Sequence, residues 1–393
     1  MKGILLLGID GGATKISGWI IDVRDIGFSL TNKNVQRKYS EYIEYLGGFT
    51  PVDIHTQLKE MNNDIRLTPE EKTQGSCYIN AATDVILELS KQNPDKKLLI
   101  GFGMPGLKTA DKKGICALAN GPRMPQFVKK VEANLRAASV DFFSIYHLGS
   151  DADYCGIGEE YDIDGSFRNV NNAYYLGGGT GVADAMKLEG KLITFDNMKP
   201  WIAKAWEMKA DNGLSLERYA SAGGIQYIYS LKSGISLKEI NETGTYPPQI
   251  LTKAVSGEQA AINTINDVAE NIAKLLFERI STLYFGYEGM FEFVNKKKPV
   301  LDKEHPFKKT LLDKIVIGQR LGNLLEESKS TPILWNDILI KLKELVSKVN
   351  NREFVNHYMS SGEFNSEIIQ ISSLREAPVI GAGVDAYFSY KNI

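Results

Sequence analysis

Three cysteines and four histidines are all that this chain of 393 residues offers to thiol or imidazole chemistry. Cys77, Cys116 and Cys155 stand far apart, which argues against a disulfide framework and for reduced thiols in a cytoplasmic setting. None sits at the spacing of a metal or redox pair. His55, His305 and His357 lack ligand spacing too, and His147, at a strand end, reads as structural. A basic excess is also missing. Lys and Arg number 46 against 48 Asp and Glu, a net charge of −2, so no overall field draws in nucleic acid. Lys296–Lys298 reads as a solvated loop. No apolar run approaches the ~20 residues that cross a bilayer, which predicts no membrane partner. With 43% apolar content the chain can bury two cores, and its length suggests two domains.

Glycine is plentiful, and two runs of it sit in matching settings. Gly8-Ile9-Asp10-Gly11-Gly12-Ala13-Thr14-Lys15 lies between the apolar runs Ile4–Leu7 and Ile16–Ile21. Gly177-Gly178-Gly179-Thr180-Gly181 lies between Leu176 and Val182, with Met186–Leu192 following. Each reads as strand, tight turn, strand. Glycine lets an anion approach the backbone closely, and successive N–H groups with Thr hydroxyls make a concavity that suits phosphate. Two such hairpins imply two related lobes gripping a polyphosphate.

The remaining pattern predicts α/β lobes. Leu5–Ile9 and Lys15–Ile21 read as an antiparallel pair, Leu98–Phe102 and Phe142–Leu148 as strands, and Ile79–Lys91 and Phe127–Ala138 as helices. Residues 32–75 lack a clear period and suggest an insertion or lid. The second half repeats the order: a hairpin over Asn172–Ala185, helices over Ser215–Leu231 and Ala260–Ile280, an irregular excursion between Tyr284 and Asp313, and a strand at Lys314–Gly318.

One further segment carries chemistry. After Leu148-Gly149-Ser150, a helix opens with Asp151 and Asp153. Carboxylates there also serve as caps that complement the helix dipole. Asp151, at the end of a strand, is placed to take a proton from a hydroxyl. Phosphoryl transfer needs little more than an oriented nucleophile and neutralised phosphate charge.

In this order the motifs resemble the ROK family of sugar kinases and related repressors, within the actin–hexokinase superfamily of ATPases. Gly8–Lys15 is similar to its first phosphate motif, with Ala13 where a second Gly is usual. Gly103-Met104-Pro105-Gly106, with Gly114 and Asn120 downstream, resembles a Pro-Gly element ending in a sugar-binding Asn. Ser150-Asp151-Ala152 with Glu159 resembles the segment of the catalytic base, with Ser150 in place of Asn. Gly179-Thr180-Gly181 resembles the second phosphate motif, with Ala183 and Asp184 at places normally held by Gly. Leu216-Glu217-Arg218-Tyr219-Ala220-Ser221 is similar to an element whose Glu binds sugar hydroxyls. Ile315–Gly318 resembles the adenosine strand, with Gln319 replacing a second Gly, and Ala377–Ala386 resembles the closing helix.

The resemblance implies two actin/hexokinase-like (ribonuclease H-like) lobes around a central nucleotide and sugar cleft. The expected first lobe is 1–150, completed by helix 376–393, and the second is 151–375. It implies an ATP-dependent kinase acting on a hydroxyl of a hexose or related sugar. Asp151 would be the base, with Asp10 holding Mg²⁺ through water. Gly11, Gly12, Thr14, Lys15, Gly178, Gly179, Thr180, Gly181 and Gly318 would bind nucleotide, and Asn120, Glu217 and Gly106 would face the sugar. Asn120 can also be read as a turn cap before Gly121-Pro122, and Glu217 as a first-turn helix carboxylate. Many relatives carry a structural zinc before the Leu-Glu element; Thr194–Ser215 has neither Cys nor His, so no zinc site is expected. Where a Glu-x-Gly-His motif is usual, Met198–Glu207 stands instead, offering Trp201 or Trp206 to stack on a sugar and Glu207 to bind hydroxyls. The resemblance leaves room for a homodimer. Related repressors place a DNA-binding domain before the first phosphate motif, and Gly8 opens that motif at once, so DNA binding is not expected. Two other readings stay open: a catalytically inactive sugar-binding sensor, and an ATPase acting on a protein partner.

Overall fold

The computed structural model describes residues 3–61 and 64–392. The chain forms two compact units, Met1–Gly165 with Glu376–Ile393, and Ser166–Arg375. The first holds a five-stranded sheet of β1 (Ile4–Gly11), β2 (Lys15–Arg24), β3 (Gly27–Lys38), β4 (Lys97–Gly103) and β5 (Leu148–Gly149) in the order β3-β2-β1-β4-β5. The first three strands pair antiparallel, while β4 runs parallel to β1 and β5 parallel to β4. The second unit repeats this arrangement with β6 (Ala173–Gly178), β7 (Val182–Leu188), β8 (Lys191–Ile193), β9 (Lys314–Gly318) and β10 (Ile369–Ile371), ordered β8-β7-β6-β9-β10. The fold class is α/β, and it is duplicated.

Side-chain alternation along β1 explains how its sheet is covered. Leu5, Leu7 and Ile9 join a core with Val85 and Ile86 of helix Pro69–Ser90 and Val131 of helix Phe127–Ala137. Leu6 faces the other way, into a cluster with Leu99, Ile380 and Val384. The last two belong to the closing helix Ala377–Lys391, which packs within the first unit. Small residues make that approach close. A Cβ on Gly101 would lie 1.8 Å from the Ala382 carbonyl oxygen, and one on Gly381 would lie 2.1 Å from that of Tyr154. Tyr154 lies in helix Asp151–Tyr161, whose Gly158 is equally tight against Ala377. This packing places helix 151–161 in the first unit, so the unit boundary falls after residue 165 and not after residue 150.

Three other expectations need correction. Residues 142–148 do not form a strand. Phe142 makes a single bridge to Leu98, and β5 keeps only Leu148 and Gly149, because the Ile145 amide donates to the buried Glu132 carboxylate at 2.8 Å instead of to a ladder. The helix expected over 215–231 breaks at Ser221, whose hydroxyl caps a new helix, Ala222–Ser233. Residues 32–75 are not one excursion. Their first part completes β3, Ile54–Glu60 is a helix, and the Thr68–Glu71 capping box opens helix Pro69–Ser90 ten residues before the expected start. Arg123, 1% exposed, fixes this region by pairing with Glu71 and Glu60.

Candidate active site

In the first unit, strand register gathers the acidic residues. Asp10 at the end of β1 pairs with Gly103 of β4, and Gly103 with Gly149 of β5. One residue further, the Ser150 hydroxyl caps helix 151–161 by accepting from the Asp153 amide, and Asp151 is the first residue of that helix. Behind it, the Tyr154 hydroxyl donates to Asp385 of the closing helix at 2.6 Å, and His147 reaches the same carboxylate at 2.6 Å. Burial works against ionisation of Asp385, but these two hydrogen bonds hold its carboxyl below the usual range. His147 is thus a support of the turn carrying Asp151.

Asp10 is pushed up from 3.8 to about 7, first by burial, then by the charges of Asp151 and Glu376; Lys15 opposes this. The Lys15 ammonium itself donates to Gln36 at 2.5 Å. A raised carboxyl means that the folded state holds a proton which the unfolded state has lost between about pH 4 and 7, so ionisation of Asp10 subtracts stability as pH rises through that window. Asp10→Asn is therefore expected to melt above the wild type at pH 8, with the gap closing toward pH 4. Equal melting temperatures at pH 8, or a larger gap in acid, would refute this.

The turn between β1 and β2 is closed by the Gly12 amide donating to Lys15 O at 2.8 Å. Thr14 is exposed at its tip. Gly106 has φ +87°, and a Cβ there would meet the Ala117 carbonyl oxygen at 2.4 Å, so that turn requires glycine. Asn120 is exposed on the turn that follows strand Ile115–Ala117.

In the second unit, the β6–β7 turn is closed by the Gly179 amide donating to Gly181 O at 2.9 Å, with Thr180 and Gly181 exposed. Gly178 backs onto the Ala220 carbonyl, and a Cβ on Gly318 would strike the Tyr175 hydroxyl at 2.3 Å. Gln319 takes φ +60°, the conformation that a second glycine would adopt freely. Glu217 accepts from the Val182 amide at 3.1 Å, and burial raises its carboxyl pKa while that hydrogen bond lowers it. It braces the β6–β7 turn. Trp201 is 4% exposed and stacks on His305 with ring centroids 4.2 Å apart, so it belongs to the core and is no sugar platform. Trp206 is exposed, and Glu207 is paired with Lys298 at 2.6 Å. The Trp201–His305 stack joins positions too far apart for any sequence pattern to have revealed it.

No family model matches the chain, and no curated protein matches it. Solved structures do. A ROK family glucokinase from Streptomyces griseus, in complex with glucose and AMPPNP, is 13% identical with TM-score 0.56, the match covering 98% of this chain and 99% of that one. The ROK hexokinase from Thermus thermophilus is 12% identical with TM-score 0.54, over 99% and 100%. This chain has the ROK fold. The same fold serves a ROK family transcriptional regulator, a homolog of the Escherichia coli MLC protein, at 12% identity and TM-score 0.54, over 99% of this chain and 79% of that one. A shared ROK fold leaves the choice between transfer and sensing to the site residues.

Proposed function

We propose that this protein is an ATP-dependent kinase of the ROK type, transferring phosphate to a hydroxyl of a hexose or related sugar. The observation that carries the reading is that strand register brings Asp10 and Asp151 to one end of the first sheet, beside the glycine-rich β1–β2 turn. Asp151 takes the proton of the sugar hydroxyl as its oxygen attacks the γ-phosphate. Asn120 and Gly106 belong to the sugar side. Gly11, Gly12, Thr14 and Lys15 hold phosphate in one unit, and Gly178, Gly179, Thr180 and Gly181 do so in the other. Adenosine is assigned to the Gly318 end of β9, where Tyr175 fills the space beside the glycine Cα. Around Asp10 a divalent cation would be held through water, since no three acidic, His or Cys side chains among the described residues are grouped to bind a metal directly; Ser17, the cross-strand partner of Asp10, has a buried hydroxyl with no hydrogen-bond partner among the described residues. Mg²⁺ would neutralise phosphate charge during transfer. Asp10 would hold it through water.

A coupled ADP-release assay across aldoses, ketoses and N-acylated amino sugars tests the proposal. Sugar-dependent ADP release is expected with a subset of the panel. A second reading, ligand binding without transfer, rests on the fold shared with a ROK family transcriptional regulator. Sugar binding in calorimetry with no ADP release would select it.

A further inference from the structure

The turn between β1 and β2 rests on two tyrosines. Tyr39 and Tyr78 are 1% and 2% exposed and stack with centroids 3.6 Å apart and planes 19° from parallel. The Tyr39 hydroxyl donates to the Gly12 carbonyl at 2.9 Å, and the Tyr78 hydroxyl donates to the Ala13 carbonyl at 3.3 Å. The Tyr39 amide donates to the next carbonyl, that of Thr14, at 3.1 Å. The Gly12 and Ala13 carbonyls are thus both held by the stacked tyrosine pair.

No peptide bond among the described residues is cis, and in a trans peptide the N–H points opposite to the C=O. Fixing the Gly12 and Ala13 carbonyls toward the tyrosine pair therefore aims the Ala13 and Thr14 N–H groups away from it. Tyr39 and Tyr78 belong to the buried core of the first unit, so this direction leads away from that core. Successive N–H groups aimed outward form an anion-binding nest. We propose that Tyr39 and Tyr78 are positioning residues that preset this nest for a polyphosphate, a role that rests on the kinase reading above for the identity of its ligand. Burial raises both phenols well above their ordinary pKa, so both remain donors across the working pH range. Their rigidity matters because a flexible Gly-Gly turn would otherwise lose entropy on binding.

Tyr39→Phe and Tyr78→Phe remove only a hydroxyl and keep the stack. Each is expected to weaken binding of ATP and of inorganic tripolyphosphate by about fivefold, the order of one neutral hydrogen bond, with the double variant weaker still. Binding of adenosine, which lacks phosphate, should be unchanged. Calorimetry with these three probes reads the difference, and circular dichroism checks the fold. Two singles are used so that one misfolded variant leaves the other informative. Polyphosphate affinity equal to the wild type overturns the proposal, and so does a parallel loss for adenosine, which would indicate general loosening. A wild type that binds tripolyphosphate but phosphorylates no sugar would defeat the kinase reading and leave the nest standing. Sugar phosphorylation with an unaltered KM for ATP in the double variant would do the reverse.

Discussion

Asp151→Asn is expected to lower kcat for sugar phosphorylation by at least about a hundredfold, because general-base catalysis typically contributes about 10²–10⁴ in rate. The change is close to isosteric at the first position of helix 151–161. The Ser150 cap uses the Asp153 backbone amide and not the Asp151 side chain, so the helix start survives. The KM for ATP should hardly move, and thermal melting should stay near that of the wild type.

Asp153→Asn is the control. Two residues along the helix, its side chain projects about 200° away from that of Asp151. It should retain most activity. If Asp153→Asn abolishes transfer while Asp151→Asn does not, the motif has been read in the wrong register. If neither matters while the wild type phosphorylates a sugar, the base lies elsewhere.

The hairpins were legible because their signals are local. Strand alternation around Gly8–Lys15, with glycines and Thr14 between, specifies a turn without help from the rest of the chain, and β9 coincides with the expected Lys314–Gly318. What escaped depended on partners distant in sequence. Residues 142–148 have the apolar content of a strand, yet Glu132 takes the Ile145 amide from the ladder. Trp201 looked like a free aromatic until His305 was found stacked on it. Glu217 looked free for a sugar, but the Val182 amide claims one of its oxygens. Tyr39 lay in a stretch without periodicity, and nothing local tied it to Gly12. Asp10 and Asp151 were singled out by motif; the residues packed behind them were not.

Asp184 shows the same limit with the largest energetic consequence. In sequence it is only a carboxylate where glycine is usual; in the fold it anchors a buried charge cluster. Its carboxylate accepts from the Tyr174 hydroxyl at 2.6 Å, from the Ala205 amide at 3.1 Å and from the Arg279 guanidinium at 3.2 Å. Arg279 also pairs with Glu278 at 2.7 Å, and Thr282 donates to Glu278 at 2.9 Å. All three charged residues are 2% exposed or less. Arg279→Met keeps roughly the volume but leaves two carboxylates buried without a cation, and is expected to cost about 3–5 kcal/mol at neutral pH. Burial already raises the Glu278 carboxyl, with Arg279 opposing. Without Arg279 the Glu278 carboxyl should rise further, so the folded variant binds a proton that the unfolded chain has released. Its stability should then fall more steeply with rising pH than that of the wild type, making it least defective in acid. Denaturant unfolding read by tryptophan fluorescence suits the test, since Trp201, Trp206 and Trp335 all lie in the second unit. Adding Asp184→Asn and Glu278→Gln to Arg279→Met should recover much of the loss, because no buried charge then remains unpaired. A loss below about 1 kcal/mol, or one identical at pH 5 and pH 8, would show that the cluster does not hold the β6–β7 hairpin to the 201–207 segment.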